Sequence, residues 1–177
     1  ILKVLSTKFE ELMEQNVPVD NPGLITYDSY WPDIARTPAL LAIPDIREVR
    51  DKLEIIEDRI KMHFVDGRAN RKELAERISH ALAVRILCDD LDKKNGANIS
   101  SLKEDLCYTI SSIEDPEFLT AAIETTANGL VSATGGQYVD QDPTSSEYFI
   151  RTEGGINAPQ IIREYANEVI KKDPEIA

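Results

Sequence analysis

The sequence predicts a mainly α protein: a helical subdomain, then a winged-helix-like unit of three helices and a β-hairpin, then a C-terminal helix. Three observations predict it. Ile46, Val49, Leu53, Ile56 and Ile60 step by three, four, three and four, which lays one apolar stripe along a helix. Helix-start signals recur downstream at Asn70, Ser101 and Asp115-Pro116. Two short β-rich runs, 137–139 and 147–151, then flank a polar turn. The expected boundaries are 1–66 for the helical subdomain, 67–153 for the winged-helix-like unit and 154–177 for the last helix.

Residues 1–16 form a short amphipathic helix on this reading, with Leu2, Leu5, Phe9, Leu12 and Met13 at helical spacing. Five of nine prolines fall in 17–44: Pro18, Pro22, Pro32, Pro38 and Pro44. Each removes a backbone donor and fixes φ, so no long helix passes through. Tyr27, Tyr30, Trp31, Leu40, Leu41 and Ile43 are too apolar for a disordered linker. The expectation is an ordered, mostly irregular segment. The stripe then forms a helix over 45–64, with Glu48–Lys52 and Glu57–Lys61 as i,i+4 pairs. It covers too few heptads for a coiled coil.

Asp66-Gly67 ends that helix, and Asn70 with Glu73 reads as a capping box for the next. Residues 81–88 are apolar nearly all round, which implies burial on several sides. A polar stretch over 89–98 contains Asn95-Gly96. Ser101 and Glu104 make a second capping box for a short helix through Ile110. Pro116 opens a third helix that Gly135-Gly136 closes. A last helix is expected from Asn157 to about Lys172.

Composition limits function. The chain has 177 residues and a net charge of −12. Such acidity argues against broad phosphate-backbone binding and against docking on anionic membrane. No apolar run reaches the ~20 residues of a membrane span. Two cysteines are no disulfide scaffold, and no signal-peptide pattern is present, so a cytoplasmic location is expected. The chain begins at Ile1 without Met, and is read as a piece of a longer protein.

Chemistry-bearing motifs are scarce. A P-loop needs G-x-x-x-x-G-K-[ST], and none of the eight glycines precedes a Lys. Around Gly96 an EF-hand register would put Leu91, Lys93 and Leu102 at ligand positions, which excludes it. His63 and His80 lack a zinc-spaced partner, and Cys88 and Cys107 sit among apolar residues. Asp140 and Asp142 read as a solvated turn. No catalytic, cofactor or metal residue is assigned. The candidate interaction residues are Tyr27, Tyr30, Trp31 and Arg85. The three aromatics either pin the proline-rich segment to the helices or form an exposed docking anchor. Arg85, alone in its apolar run, is an ion-paired structural residue or a contact to a partner or nucleotide.

One resemblance follows from the order of short blocks. Leu24 to Trp31, Ile43 to Val49, Ala81 to Arg85, Leu102 to Cys107, Gly136 to Val139 and Glu147 to Phe149 together resemble the large P-loop ATPases of bacterial phage-exclusion (BREX-type) and phage-growth-limitation systems. The resemblance implies a nucleotide-binding domain upstream, where ATP and Mg would bind, and no cofactor in this part. It transfers no site residue, because the P-loop is absent here. The expected function is a non-catalytic protein-interaction or intramolecular packing module, its partners being the rest of the parent chain or other defence subunits. The alternative is a DNA-binding winged-helix domain of that ATPase or of a transcriptional regulator. Nucleic acid is disfavoured by residues 99–153, which hold two basic residues against ten acidic ones.

Overall fold

A computed structural model describes residues 2–14, 25–88, 96–106 and 116–152. They form seven α-helices and one two-stranded sheet: α1 (Leu2–Glu14), α2 (Tyr27–Arg36), α3 (Pro38–Leu41), α4 (Pro44–His63), α5 (Lys72–Cys88), α6 (Ile99–Asp105), α7 (Pro116–Thr134), β1 (Val139–Gln141) and β2 (Tyr148–Ile150). The mainly α class holds. The C-terminal helix expected over 157–172 lies outside the described residues, as does Ile110.

The proline-rich segment corrects the expectation of irregular chain. Its described part, from residue 25, is largely helical. Prolines divide it without unwinding it. Pro38 and Pro44 stand in the first turn of α3 and α4, where a backbone N–H would have no intrahelical partner anyway. Pro32 lies inside the ten-residue α2, where it removes one amide donor from a helix held by packing. Trp31 supplies that packing and is 3% exposed.

Two caps also differ from the sequence reading. A 3-10 turn over Asp66–Arg71 runs through Asn70 and leads directly into α5, with the Lys72 N–H bonded to the Ala69 carbonyl. Asn70 is therefore inside a turn and caps nothing. At α6 the cap is Asn98, whose side chain accepts from the Ser101 N–H at 2.9 Å. Ser101 is thereby the third residue of the helix, and its hydroxyl is not the cap. The pairing on α4 splits likewise. Lys52 meets Glu48 at 2.8 Å as expected, but Lys61 meets Asp58 at 2.9 Å. Glu57 instead reaches across to His80 on α5, at 3.0 Å.

Helix α5 is the centre. Ala75, Ile78, Ala81, Leu82, Ala83 and Val84 are all buried, and α2, α4 and α7 pack around them. Small residues at 75, 81 and 83 let three helices approach one axis. The α4 stripe meets it through Val49, Leu53, Ile56 and Ile60, all buried, with Ile46 only half-buried at the helix start. Phe64 closes α4 and lies over Gly129 of α7, where an added Cβ would stand 2.9 Å from the ring. These residues belong to one core that also takes in Leu102, Leu106, Val139 and Tyr148. The boundary expected after residue 66 falls within the 3-10 turn.

The hairpin is anchored twice. Helix α7 ends in a left-handed turn at Gly135 (φ 59°) and Gly136 (φ 64°), where the Gly136 N–H reaches back to the Val131 carbonyl at 3.0 Å. The Thr134 hydroxyl accepts from the Val139 N–H at 3.2 Å, which fixes the entry to β1. β1 and β2 pair antiparallel, Val139 with Ile150 and Gln141 with Tyr148. On its other side Tyr148 pairs with Ala97, just before α6, through bonds of 2.8 and 2.9 Å. β2 is thus flanked on both edges.

Truncating Trp31 should test whether it holds α2 to the core. Trp31→Ala is expected to cost ~3–5 kcal/mol by urea denaturation, and the wild-type indole should emit at the short wavelengths of an apolar site. An unchanged unfolding midpoint in the mutant would contradict this.

Candidate interaction surface

The aromatic cluster divides. Trp31 is in the core, and Tyr30 is partly buried against it. Tyr27, one turn earlier, is 40% exposed at the start of α2. Beside it Asp28 accepts from Arg77 Nε of α5 at 2.8 Å, and Arg77 also donates to the Leu106 carbonyl at 3.4 Å. The pair thus clips α2 and the end of α6 to one face of α5.

Arg85 lies inside the fold. Its guanidinium meets both carboxylate oxygens of Asp105, with Nη2 donating to Oδ1 at 3.1 Å, and Nη1 donating to the Gly96 carbonyl at 3.2 Å. The Asp105 side chain is 6% exposed. This planar fork is the geometry in which Arg binds a carboxylate best. It joins α5, α6 and the residue preceding the Ala97 bridge. Nothing in the sequence singles out Asp105, since a partner twenty residues away leaves no spacing signal.

The acidic unit uses its polar side chains internally. Lys103 Nζ donates to the Thr120 hydroxyl at 2.9 Å, tying α6 to α7. Arg151 donates to the Gly136 carbonyl at 3.0 Å and pairs with Asp140. Its guanidinium carbon also lies 5.7 Å from the centre of the Phe149 ring, within cation–π range. Both basic residues of 99–153 are therefore engaged. Asp142, read from sequence as solvated, is 7% exposed. It accepts from the backbone N–H groups of Thr144 and Ser145 at 2.8 and 3.2 Å, which builds the hairpin turn. Asn128 accepts from the buried Tyr148 hydroxyl at 2.8 Å, and burial raises that phenol above its ordinary range. On the outer side of α7, Glu117, Phe118, Glu124 and Thr125 are exposed.

A groove of about 520 Å³ runs between the start of α5 and the first half of α7. Arg71, Leu74, Arg77, Phe118 and Ala122 line it. It mixes two cations and the Glu73 carboxylate with apolar walls. At the end of α4, His63 Nε2 accepts from Arg68 Nη1 at 2.9 Å. Burial, reinforced by the Arg68 charge, lowers the His63 pKa below 6.5. Among the described residues no three His, Cys, Asp or Glu side chains come together as a metal site. Cys107 lies outside them. Among them, too, no helix is long and apolar enough to cross a membrane.

Residues 1–156 match the family described as DUF6079 second domain. The chain belongs to that family. The match takes in every described element, from α1 to β2. No curated protein and no solved structure matches the chain.

Two outcomes follow for this second domain. Arg85→Ala strands the buried Asp105 carboxylate, and should cost about 3 kcal/mol. The double change Arg85→Met with Asp105→Leu should recover most of that loss in urea denaturation. His63 gives a pH signature. Its unfolded form takes a proton near 6.5 and its folded form only at lower pH. Below about 6.5 the unfolded chain binds more protons, so acidification favours unfolding. The stability gap between wild type and His63→Gln should narrow as pH falls from 7 to 5. An NMR titration of His63 should move upward in Arg68→Ala.

Proposed function

We propose that the chain is a non-catalytic interaction or packing module within a longer protein, one that resembles the P-loop ATPases of phage-defence systems. The single observation that carries this reading is the use of charge in α6, α7 and the hairpin. The two basic residues there, Lys103 and Arg151, are held in intramolecular bonds, while Glu117 and Glu124 face outward. A surface of that kind meets proteins more readily than a phosphate backbone, because phosphate contacts need free Lys or Arg.

The element order favours a winged-helix fold for residues 72–150. It runs helix, bridge strand, helix, helix, hairpin, with the bridge residue Ala97 beside β2. A DNA-reading winged helix would present the third helix, here α7, to the major groove. On this reading the same scaffold has become a protein-facing unit. No G-x-x-x-x-G-K-[ST] occurs in the sequence, so on this reading nucleotide chemistry belongs to the domain that the resemblance implies upstream.

The test is a gel shift on random duplex DNA at low salt, with calorimetric titration of Mg-ATP alongside. The expected result is no binding below the micromolar range in either. Submicromolar duplex binding that weakens steeply with salt would establish the DNA-binding alternative, and micromolar Mg-ATP binding would overturn the non-catalytic reading.

A further inference from the structure

An Asp or Asn followed by Gly carries a latent reaction. The Gly backbone nitrogen, with no Cβ beside it, can attack the Cγ of the preceding side chain. Asp66-Gly67 and Asn128-Gly129 are the two such pairs among the described residues. The amide of Asn is more open to attack than a carboxylate, whose negative charge repels the incoming nitrogen. By sequence, Asn128 therefore ranks first.

The fold reverses that rank. Gly129 lies in the interior of α7, where its N–H is held in the helical ladder. The Phe64 ring covers it so closely that an added Cβ would stand 2.9 Å away. The Asn128 Oδ1 accepts from the Tyr148 hydroxyl at 2.8 Å. Attack there needs the helix and that bond to open. Asp66 and Gly67 begin the 3-10 turn, and both are exposed. The first bond of that turn runs from the Arg68 N–H to the Val65 carbonyl, at 3.0 Å. The Gly67 N–H precedes it and stands outside the ladder. A Cβ placed on Gly67 meets nothing within 4 Å. Asp66 is also held at φ 51°, a left-handed conformation that L side chains disfavour.

We propose that Asp66-Gly67 is a modification site, where the aspartyl link isomerises to isoaspartyl while Asn128-Gly129 is protected. The Gly67 nitrogen bonds to Cγ of the Asp66 carboxyl in its acid form, and the carboxyl hydroxyl leaves with the amide hydrogen as water. The product is a succinimide ring. Water then adds at one of the two ring carbonyls and breaks its bond to nitrogen. Addition at Cγ restores Asp66. Addition at the backbone carbonyl leaves Gly67 joined through Cγ, with a free α-carboxylate and one more carbon in the backbone. The water lost in the first step is regained in the second. The extra carbon falls two residues after Phe64, at the junction of α4 and α5.

The test incubates the 177-residue chain at neutral pH, folded and in guanidinium chloride. Isoaspartate at Asp66 is read by an L-isoaspartyl methyltransferase with labelled S-adenosylmethionine, and deamidation at Asn128 by mass. Both are followed peptide by peptide, which separates Asn95, a residue outside those described. In the folded chain Asp66 should react at least about tenfold faster than Asn128, because reaction at Asn128 waits on local opening of α7. In denaturant the order should invert. Gly67→Ala, whose methyl group enters open space, should suppress the reaction with an unchanged unfolding midpoint. Folded Asp66→Asn should react faster than the wild type, losing ammonia in place of water. Faster loss at Asn128 in the folded chain would overturn the proposal. So would isoaspartate that forms at Asp66 only in denaturant, a wild-type rate in Gly67→Ala, or an Asp66→Asn chain that stays intact.

Discussion

The burial of α5 on several sides is the constraint on which the other elements depend. A helix with an apolar stripe needs one neighbour; α5, with Ala75, Ile78, Ala81, Leu82, Ala83 and Val84 all inside, needs several. That need explains why α2 and α7, from distant parts of the chain, join the adjacent α4 around it. It also explains why three of those six residues are alanine, because larger side chains would hold the neighbours apart. Gly129 serves the same end on α7, where its missing side chain leaves room for the Phe64 ring.

Polar groups then lock what the apolar core brings together. Arg77 with Asp28 fixes α2 on α5, His80 with Glu57 links α4 to α5, and Arg85 with Asp105 fixes α6. The Arg85–Asp105 pair, whose carboxylate is 6% exposed, adds specificity of register more than net stability, since a charge loses much of its hydration on burial. In the acidic half the same principle reaches into the hairpin. Asp140 and Asp142, two carboxylates that look like surface charge in the sequence, are an ion-pair partner and a turn builder. The outward charge of that half therefore comes from fewer residues than the composition implies, but its sign is unchanged.

Much of the architecture is legible in the sequence because it rests on local signals. The α4 stripe, Pro116 at the start of α7, the Gly135-Gly136 stop and the two strand runs are all visible within a few residues. The aromatic cluster is legible as an anchor for the segment, but which of its members is buried is settled only by the packing, with Trp31 inside and Tyr27 exposed. What is not legible depends on groups far apart. A proline reads as a breaker, yet Pro38 and Pro44 start helices, because each falls at the position that lacks a partner. Asn98 and Ser101 are equally good caps by composition, and only the chain path through Ala97 decides for Asn98. The Arg85 fork needs Asp105 on another helix, and the groove beside Phe118 needs two elements to meet.

Lys52 shows what this long-range economy means for the order of assembly. Its ammonium donates to the Arg151 carbonyl at 2.7 Å and also to that of Thr152, residues 99 and 100 positions away. The bridge from Ala97 to Tyr148 spans another large loop. Closing loops of that size costs chain entropy before any contact repays it. Neighbouring helices such as α4 and α5 need no such closure, and can dock early. β2, held between β1 and Ala97 and pinned at its exit by Lys52, draws its partners from three separate parts of the chain. Seating the hairpin therefore closes two long stretches of chain together, one between Lys52 and Arg151 and one between Ala97 and Tyr148.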